Sequence, residues 1–238
     1  MTSHLIRRQI VTAAAGLVVA GGGLVAPVAW PLPAAAEGSA QKNDKMPDVT
    51  PPEDLMREHG VLNRVLLIYE AAMHKFATNE HFDPAVITQS AQIVRQFVED
   101  YHERNEENQI FPRFRKAGKM VDLVDTLYQQ HQAGRRVTDT ILHLAPKSAT
   151  LGDDRTRLTG AMQSFIAMYR PHEAREDTEL FPKLRDVVSA SEFDAMADDF
   201  EKDEQKKFGQ DGFESMVHKV AGLEKALGIN DLAKFTPA

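Results

Sequence analysis

Apolar residues recur at spacings of three and four along most of the chain beyond residue 50, and no sustained period of two appears. This pattern is typical of helices that bury one face. It predicts four long helices and two shorter ones, and therefore an all-α protein. The long helices fit residues 50–76, 83 to a break between 112 and 118, 120–145 and 158–181, and the shorter ones fit 191–208 and 213–227.

Two helix starts carry clear local signals. Thr50-Pro51-Pro52-Glu53 combines an N-cap hydroxyl, a proline at the first helical position and a glutamate three residues after the cap, and Asp83-Pro84 begins the second helix similarly. Four consecutive long helices with short or moderate connections are typical of an up-down-up-down four-helix bundle. We predict this bundle for residues 51–190 and a C-terminal helical extension for residues 191–238.

The sequence contains an internal repeat. The pattern H-E-x-x-E-x-x-x-x-F-P begins at His102 and again at His172. The helices that precede these segments also correspond, because His59 and His131 lie in similar surroundings and are separated by nearly the same stretch of chain. A repeat of this length that occurs only twice indicates a duplicated helical hairpin rather than a stacked array.

Residues 1–36 have the features of an export signal. Arg7 and Arg8 precede an uncharged stretch, residues 9–30, which is followed by small residues at a cleavage site, residues 34–36. The paired arginines and the mild hydrophobicity favour the twin-arginine (Tat) route over the general secretory route.

The same stretch is about as long as a transmembrane helix, so a retained membrane anchor is the alternative. Three consecutive glycines at 21–23 count against an anchor. We therefore expect an exported, periplasmic protein, which would be membrane-anchored if the signal stayed uncleaved. Residues 37–50 have few apolar side chains and are interpreted as a flexible linker.

Composition narrows the possible chemistry. The absence of cysteine excludes disulfides, thiol nucleophiles, iron–sulfur clusters and cysteine-based zinc sites. The net charge is -7, and removal of the signal takes away two arginines and no acid, which leaves -9. Because the basic residues are not clustered, we expect no nucleic-acid partner and, after signal removal, no membrane partner. Any metal must be bound by histidine, glutamate or aspartate.

Each repeat places a histidine and a glutamate four positions apart, on one face of a helix. Both histidines directly follow the apolar stripe of their helix, so they are expected to point inward. Helices one and three each add a further inward histidine. We predict six metal ligands that converge from four helices: His59, His102, Glu106, His131, His172 and Glu176.

Six ligands in two equivalent halves favour two metal ions over one. Each ion would have two histidines and share both carboxylates, which leaves one or two positions for an oxo bridge, hydroxide, water or a diatomic ligand. Mixed imidazole and carboxylate ligation favours non-haem iron, and manganese and zinc are less favoured. We therefore expect two iron ions per chain, bridged by carboxylates.

An isolated histidine on an apolar helix face is more often a hydrogen-bonded core residue than a ligand. The six residues are assigned to a metal because their arrangement occurs twice at similar spacing. The other histidines lie too far along their helices, in loops or in the signal, and are not assigned to the site: His4, His74, His81, His143 and His218.

At these residues the sequence resembles the hemerythrin-like family, also called the HHE cation-binding domain. The resemblance covers about residues 54–184 and rests on the pattern H…HxxxE…H…HxxxE with both Phe-Pro pairs. It implies a four-helix bundle around a non-haem di-iron centre. Carried over position by position, the family's ligands are the same six residues.

The sequence differs from that of oxygen-carrying hemerythrins at two ligand positions. Oxygen-carrying hemerythrins have a second histidine one turn beyond the helix-three histidine, where this chain has Arg135, and a more widely spaced aspartate where this chain has Glu176. These two differences disfavour reversible oxygen carriage. Glu103 and Glu173 directly follow ligand histidines, and we expect them to be solvated or to act as outer groups.

Three functions remain open from the sequence. The first is a di-iron redox enzyme that acts on peroxide or nitric oxide, with Tyr101 and Tyr169 beside the ligand pairs. The second is a non-catalytic carrier or sensor of oxygen, nitric oxide or iron. The third is a structural bundle that holds zinc for stability. The first two share one expectation, a small diatomic or peroxide ligand at the metal.

Overall fold

Residues 49–148 and 152–237, the part of the chain that the computed structural model describes, form six long helices, two of which combine consecutive helical segments, and two short 3-10 turns, Ala145–Lys147 and Leu232–Phe235. No strand occurs in this part, so the prediction of an all-α bundle is confirmed. The predicted signal and all but the last two residues of the predicted linker lie outside it. The helices are α1 Pro51–Thr78, α2 residues 85–117, α3 Val121–Leu144, α4 residues 153–186, α5 Ala190–Phe208 and α6 Gly212–Leu227.

The predicted helix starts are confirmed in their local chemistry. The Thr50 side chain accepts a hydrogen bond from the N–H of Glu53 at 3.4 Å. The Asp83 side chain accepts one from the N–H of Ala85 at 2.9 Å. These bonds satisfy backbone donors that a helix leaves unpaired in its first turn. At the other end of α2, Gly118 adopts a left-handed conformation with φ 63, which ends the helix within the predicted range.

Two of the helices are not uniform. Both α2 and α4 continue through prolines, at Pro112 and Pro171 respectively. The segments of α2 are Ala85–Ile93, the π-helical Val94–His102, Glu103–Asn105, the π-helical Glu106–Ile110, and Phe111–Ala117. Those of α4 are Asp153–Arg175, the π-helical Glu176–Leu180, and the 3-10 turn Phe181–Asp186.

Each predicted glutamate ligand begins a π-helical segment. Glu106 is the first residue of one such segment and Glu176 is the first residue of the other, and a Phe-Pro pair follows both. Proline has no N–H, and its ring crowds the carbonyl four residues earlier, so the α-helical hydrogen bond from that position is missing at Pro112 and Pro182. The repeated Phe-Pro pair thus accompanies the widened backbone next to both glutamates, whereas the π-helical Val94–His102 contains no proline.

The four long helices enclose two apolar clusters with a polar layer between them. On α1, Leu55 belongs to one cluster and Leu62 to the other, and His59 lies between them in the sequence. On α3, Leu127 and Ile141 belong to the two clusters and bracket His131 in the same way. The predicted ligands therefore lie in the middle of the bundle, with apolar side chains on both sides.

The C-terminal helices pack against the bundle. Phe193, Met196 and Phe200 of α5 belong to the cluster that contains Leu55. On α6, the Glu224 carboxylate accepts hydrogen bonds from Arg64 Nε and Nη2 of α1 at 2.8 and 2.5 Å. Within residues 49–148 and 152–237, no helix combines the length and the apolar character that crossing a bilayer requires.

Candidate metal centre

The structure brings all six predicted ligands together in the polar layer. Their side chains are almost completely buried, since each residue exposes at most 3% of its surface. The histidines form two pairs, one from α1 and α2 and one from α3 and α4. The ring centroids of His59 and His102 are 4.7 Å apart, and those of His131 and His172 are 5.0 Å apart.

Both glutamates lie between the two histidine pairs. Glu176 Oε2 is 3.4 Å from His59 Nε2 and 3.1 Å from His172 Nε2. Each of its neighbours therefore belongs to a different pair, as a carboxylate shared by two metal ions requires.

The second glutamate has the matching position. Glu106 Oε2 is 3.7 Å from His102 Nε2 and 3.4 Å from His131 Nε2. The two carboxylates and four imidazoles thus form one cluster with approximate two-fold symmetry, as the sequence repeat predicts.

The donor atoms fit a metal site. Both carboxylate oxygens of Glu106 and both of Glu176 are buried without a hydrogen-bond partner in the described structure. Buried unpaired carboxylate oxygens are costly unless a cation compensates them. Four ligand atoms, from His59, His102 and both glutamates, lie within 4.8 Å of one another, as do atoms of His131, His172 and Glu176. The residues can therefore hold two ions that share a carboxylate.

The two glutamates differ in proton affinity in the metal-free protein. Burial raises the pKa of Glu106 well above its usual range, and the charge of Glu176 raises it further. Burial also acts to raise the pKa of Glu176, but contacts with His172 and His59 outweigh this effect and hold its pKa well below the usual range. A bound cation would favour the ionised form of both carboxylates.

Each ligand histidine turns Nε2 toward the cluster and Nδ1 toward an acceptor outside it. A partner of this kind fixes the ring orientation and the tautomer, so that Nε2 is the atom available to a metal. The pairs and their Nδ1 to oxygen distances are His59 with Asp177 at 2.8 Å, His102 with Glu58 at 2.7 Å, His131 with Glu107 at 3.2 Å, and His172 with Gln130 at 2.9 Å.

These four acceptors follow the repeat, although the sequence prediction does not include them. Glu58 and Gln130 directly precede the ligand histidines of α1 and α3, and each accepts from the histidine of the next helix. Glu107 and Asp177 directly follow the ligand glutamates of α2 and α4. Adjacency to a ligand in both repeats is the sequence signal by which they could be found.

The phenylalanine of each Phe-Pro pair contacts a ligand histidine of a neighbouring helix. Phe111 stacks on His131 with ring centroids 5.3 Å apart, and Phe181 stacks on His59 at 5.6 Å. The spacing that the two repeats share thus places an apolar ring against one imidazole of each pair. These rings help to exclude water from the cluster.

Of the two alternatives expected for Glu103 and Glu173, solvation is wrong, because they expose only 1% and 3% of their surfaces. Glu103 accepts a hydrogen bond from the Tyr169 hydroxyl at 2.6 Å. Glu173 accepts one from the Asn63 amide. Burial raises the pKa of Glu173 to about 8 and that of Glu103 well above its usual range. Both residues lie beside the cluster and act as outer groups.

Arg135, one turn beyond His131, is held outside the ligand cluster. Its guanidinium lies 2.7 Å from Glu103 Oε2 and 2.7 Å from Glu107 Oε1. This position therefore supplies a cation for buried carboxylates and no fifth imidazole. In the described part of the chain, the four remaining histidines are exposed and lie outside the candidate metal groups: His74, His81, His143 and His218. His4 lies outside the described residues.

Comparison with known protein families matches residues 50–184 to the hemerythrin HHE cation binding domain, with a second, overlapping match over residues 122–209. The chain belongs to this family. The first positions of the two matches are separated by the same stretch of chain as His59 and His131, which agrees with an internal duplication of the HHE hairpin.

Similar chains occur in mycobacteria. The protein is 44% identical over 236 residues to an uncharacterised protein of Mycobacterium bovis, and the alignment covers 99% of this chain and 90% of the relative. Uncharacterised proteins from two strains of Mycobacterium tuberculosis show the same identity and coverage. No solved structure matches the chain.

Proposed function

We propose that this hemerythrin-like protein binds two non-haem iron ions and uses them to react with or sense peroxide, dioxygen or nitric oxide in the periplasm. One observation carries the proposal: four buried carboxylate oxygens without hydrogen-bond partners lie among four histidines whose Nδ1 atoms are already engaged. Such a donor set needs cations at its centre.

The donor set favours iron. Imidazole and carboxylate ligands suit iron, manganese and zinc, and about four protein donors for each ion leave positions open in a six-coordinate site. Two iron ions would supply redox electrons and coordination positions for a small ligand. Manganese or zinc at the same atoms is the less favoured alternative.

Burial supports a ligand of few atoms. Every one of the six ligands exposes 3% of its surface or less, and apolar clusters lie on both sides of them. A diatomic gas or a peroxide could reach such a site through small fluctuations, whereas a larger substrate would require the helices to separate. The chain's own contribution is to orient four imidazoles, hold two carboxylates between them and exclude bulk water.

An enzyme and a non-catalytic carrier or sensor would share this site. Arg135 lies where oxygen-carrying hemerythrins have a fifth ligand histidine, and it is held in ion pairs. The chain therefore offers no fifth imidazole to fill the coordination of one ion, and oxygen carriage by such a centre is not supported. The periplasmic location rests on residues 1–36, whose paired arginines fit a route that exports proteins already folded around their metal.

The proposal is tested by metal analysis of the mature protein purified without added metal, with ultraviolet-visible spectra before and after air and peroxide. About two irons per chain and an iron absorption band that changes with peroxide are expected. Glu106→Gln should lower the iron content. Glu179→Gln is the matched control, because Glu179 is exposed and lies only three residues from Glu176 on α4.

Turnover separates the two forms of the proposal. Peroxide consumption or nitric oxide reduction by the iron-loaded wild type, lost in Glu106→Gln, would identify an enzyme. A reversible spectral change without product would identify a carrier or sensor. Zinc as the bound metal, or a fully folded bundle that takes up no iron, would contradict the proposal.

A further inference from the structure

The two halves of the centre differ at one pair of equivalent residues. Glu58 and Gln130 occupy matching positions of the repeat, because each directly precedes a ligand histidine. Glu58 accepts from His102 Nδ1 at 2.7 Å, and Gln130 accepts from His172 Nδ1 at 2.9 Å. The contacts are equivalent, but the first acceptor is a carboxylate and the second is a neutral amide.

The other pair of acceptors adds to this difference. Asp177 and Glu107 are both carboxylates and accept from His59 and His131. Glu107 also pairs with Arg135 at 2.7 Å. Asp177 forms no ion pair with an arginine or lysine in residues 49–148 and 152–237. Among the described residues, its ion pair is with the His59 imidazole itself.

The two buried glutamates that directly follow ligand histidines also have different partners. Glu103 pairs with Arg135, whereas the equivalent Glu173 accepts a hydrogen bond from the neutral Asn63. Asn63 and Arg135 each lie four positions beyond a ligand histidine, so they also match in the repeat. The guanidinium of Arg135 thus pairs with Glu107, the acceptor of His131, and also with Glu103, which directly follows His102.

The acceptors of the ligand histidines affect metal binding in two ways, through the basicity of the imidazoles and through the negative charge near the metal. An imidazole that donates Nδ1–H to a carboxylate is a stronger metal ligand than one that donates to an amide. Uncompensated carboxylates near a buried cation also lower its energy, because the interior screens charge poorly. Both effects favour a cation between His59 and His102 over one between His131 and His172.

We propose that the two metal positions are unequal, and that the position at His59 and His102 binds a divalent cation more tightly and fills first. Glu58 and Gln130 are the positioning residues that set the difference. The inference rests on the proposed two-metal function, but it concerns relative affinity and not the reaction.

Calorimetric titration of the metal-free full chain with Zn²⁺ tests the inference without redox chemistry. Two binding events of one ion each are expected, with dissociation constants that differ by about 10-fold or more. Glu58→Gln should weaken the tighter event by about 10-fold to 100-fold. Gln130→Glu should strengthen the weaker event, which a folding defect could not produce.

Gln129→Glu is the matched control, because Gln129 is the exposed neighbour of Gln130 and the substitution adds the same charge. The control should leave both events unchanged. Two events of equal affinity in the wild type would overturn the inference while leaving the two-metal centre in place. An effect of Gln130→Glu no larger than that of the control would also overturn it. Uptake of fewer than two ions would instead contradict the proposed function itself.

Discussion

Gly134 on α3 lies directly against the hydroxyl of Tyr169 on α4. A Cβ atom at position 134 would overlap this hydroxyl and would lie 2.8 Å from Tyr169 Cζ, closer than real contacts allow. The Tyr169 ring is also 5.5 Å from the His172 ring, and its hydroxyl donates to Glu103. The glycine therefore makes room for a tyrosine that links a ligand histidine to a buried carboxylate.

We expect Gly134→Ala to displace Tyr169 and to lower the free energy of unfolding by about 1–3 kcal/mol, as overpacking of a well-packed core does. Gly160→Ala on α4 is the control, because a Cβ there meets no atom within 4 Å. Glycine in an exposed helix is less favourable than alanine, so the control should gain about 0.5–1 kcal/mol. Urea unfolding of both variants measures the difference, and equal stability would contradict the packing described.

Replacement of Arg135 tests whether it serves buried carboxylates. Arg135→Ala leaves Glu103 and Glu107 without their guanidinium partner, and removal of one partner of a buried pair costs about 3–5 kcal/mol. Chemical denaturation should show a loss of this order. Arg136→Ala, at the exposed neighbouring position, should change stability by less than about 0.5 kcal/mol. Equal effects of the two substitutions would show that the ion pairs do not stabilise the fold.

Metal removal should destabilise the wild type more than a variant that lacks a shared carboxylate. A ligand bound only by the folded state adds about 2.7 kcal/mol of stability when its free concentration is about 100 times Kd. Chelation should therefore lower the melting temperature of the wild type, whereas Glu106→Gln should change little. Differential scanning calorimetry with and without chelator measures both shifts. A wild-type melting temperature that is independent of chelator would contradict metal binding at this site.

Metal affinity should rise with pH. Burial alone would lower the pKa of His59, but the hydrogen bond with Asp177 and the nearby charge of Glu176 outweigh it and raise the pKa to about 10. His59 therefore carries a proton near neutral pH in the metal-free chain, and it must lose this proton before Nε2 can bind a metal.

Calorimetric titrations with Zn²⁺ in buffers of different ionisation enthalpy measure the protons released on binding. We expect release at neutral pH and tighter binding as the pH rises from about 6 to about 8. Asp177→Asn removes an anion that holds the His59 proton, so fewer protons should be released. A binding enthalpy that does not depend on the buffer would show that His59 is already neutral.

The sequence predicts the helices and the ligands for the same physical reason. His102 and Glu106 recur at His172 and Glu176 because both repeats need donors on one helix face, and that spacing is visible in the sequence alone. The histidines of α1 and α3 are found because they precede these motifs at similar distances. Apolar periodicity likewise gives the helix ends to within two residues, except at α4, which is predicted for 158–181 and spans 153–186.

Helical periodicity does not predict the residues that hydrogen-bond to the ligands, because their roles depend on contacts between helices. Glu58 is one position from His59, yet it serves His102 across the helix interface. Glu103 has the local features of a surface residue and is buried only because Tyr169 and Arg135 cover it. Helical periodicity describes one helix at a time, so it does not show which side chains of two helices meet.

The four Nδ1 hydrogen bonds form a closed circuit around the bundle. The contacts lead from α1 to α2, from α2 to α3, from α3 to α4 and back to α1, in the pairs Glu58 with His102, Glu107 with His131, Gln130 with His172, and Asp177 with His59. Each helix therefore acts as acceptor for one neighbour and as donor for the other. These four hydrogen bonds hold the imidazoles in position before a metal ion binds, so little conformational entropy is lost on binding. The bundle should accordingly release and take up its metal repeatedly without unfolding.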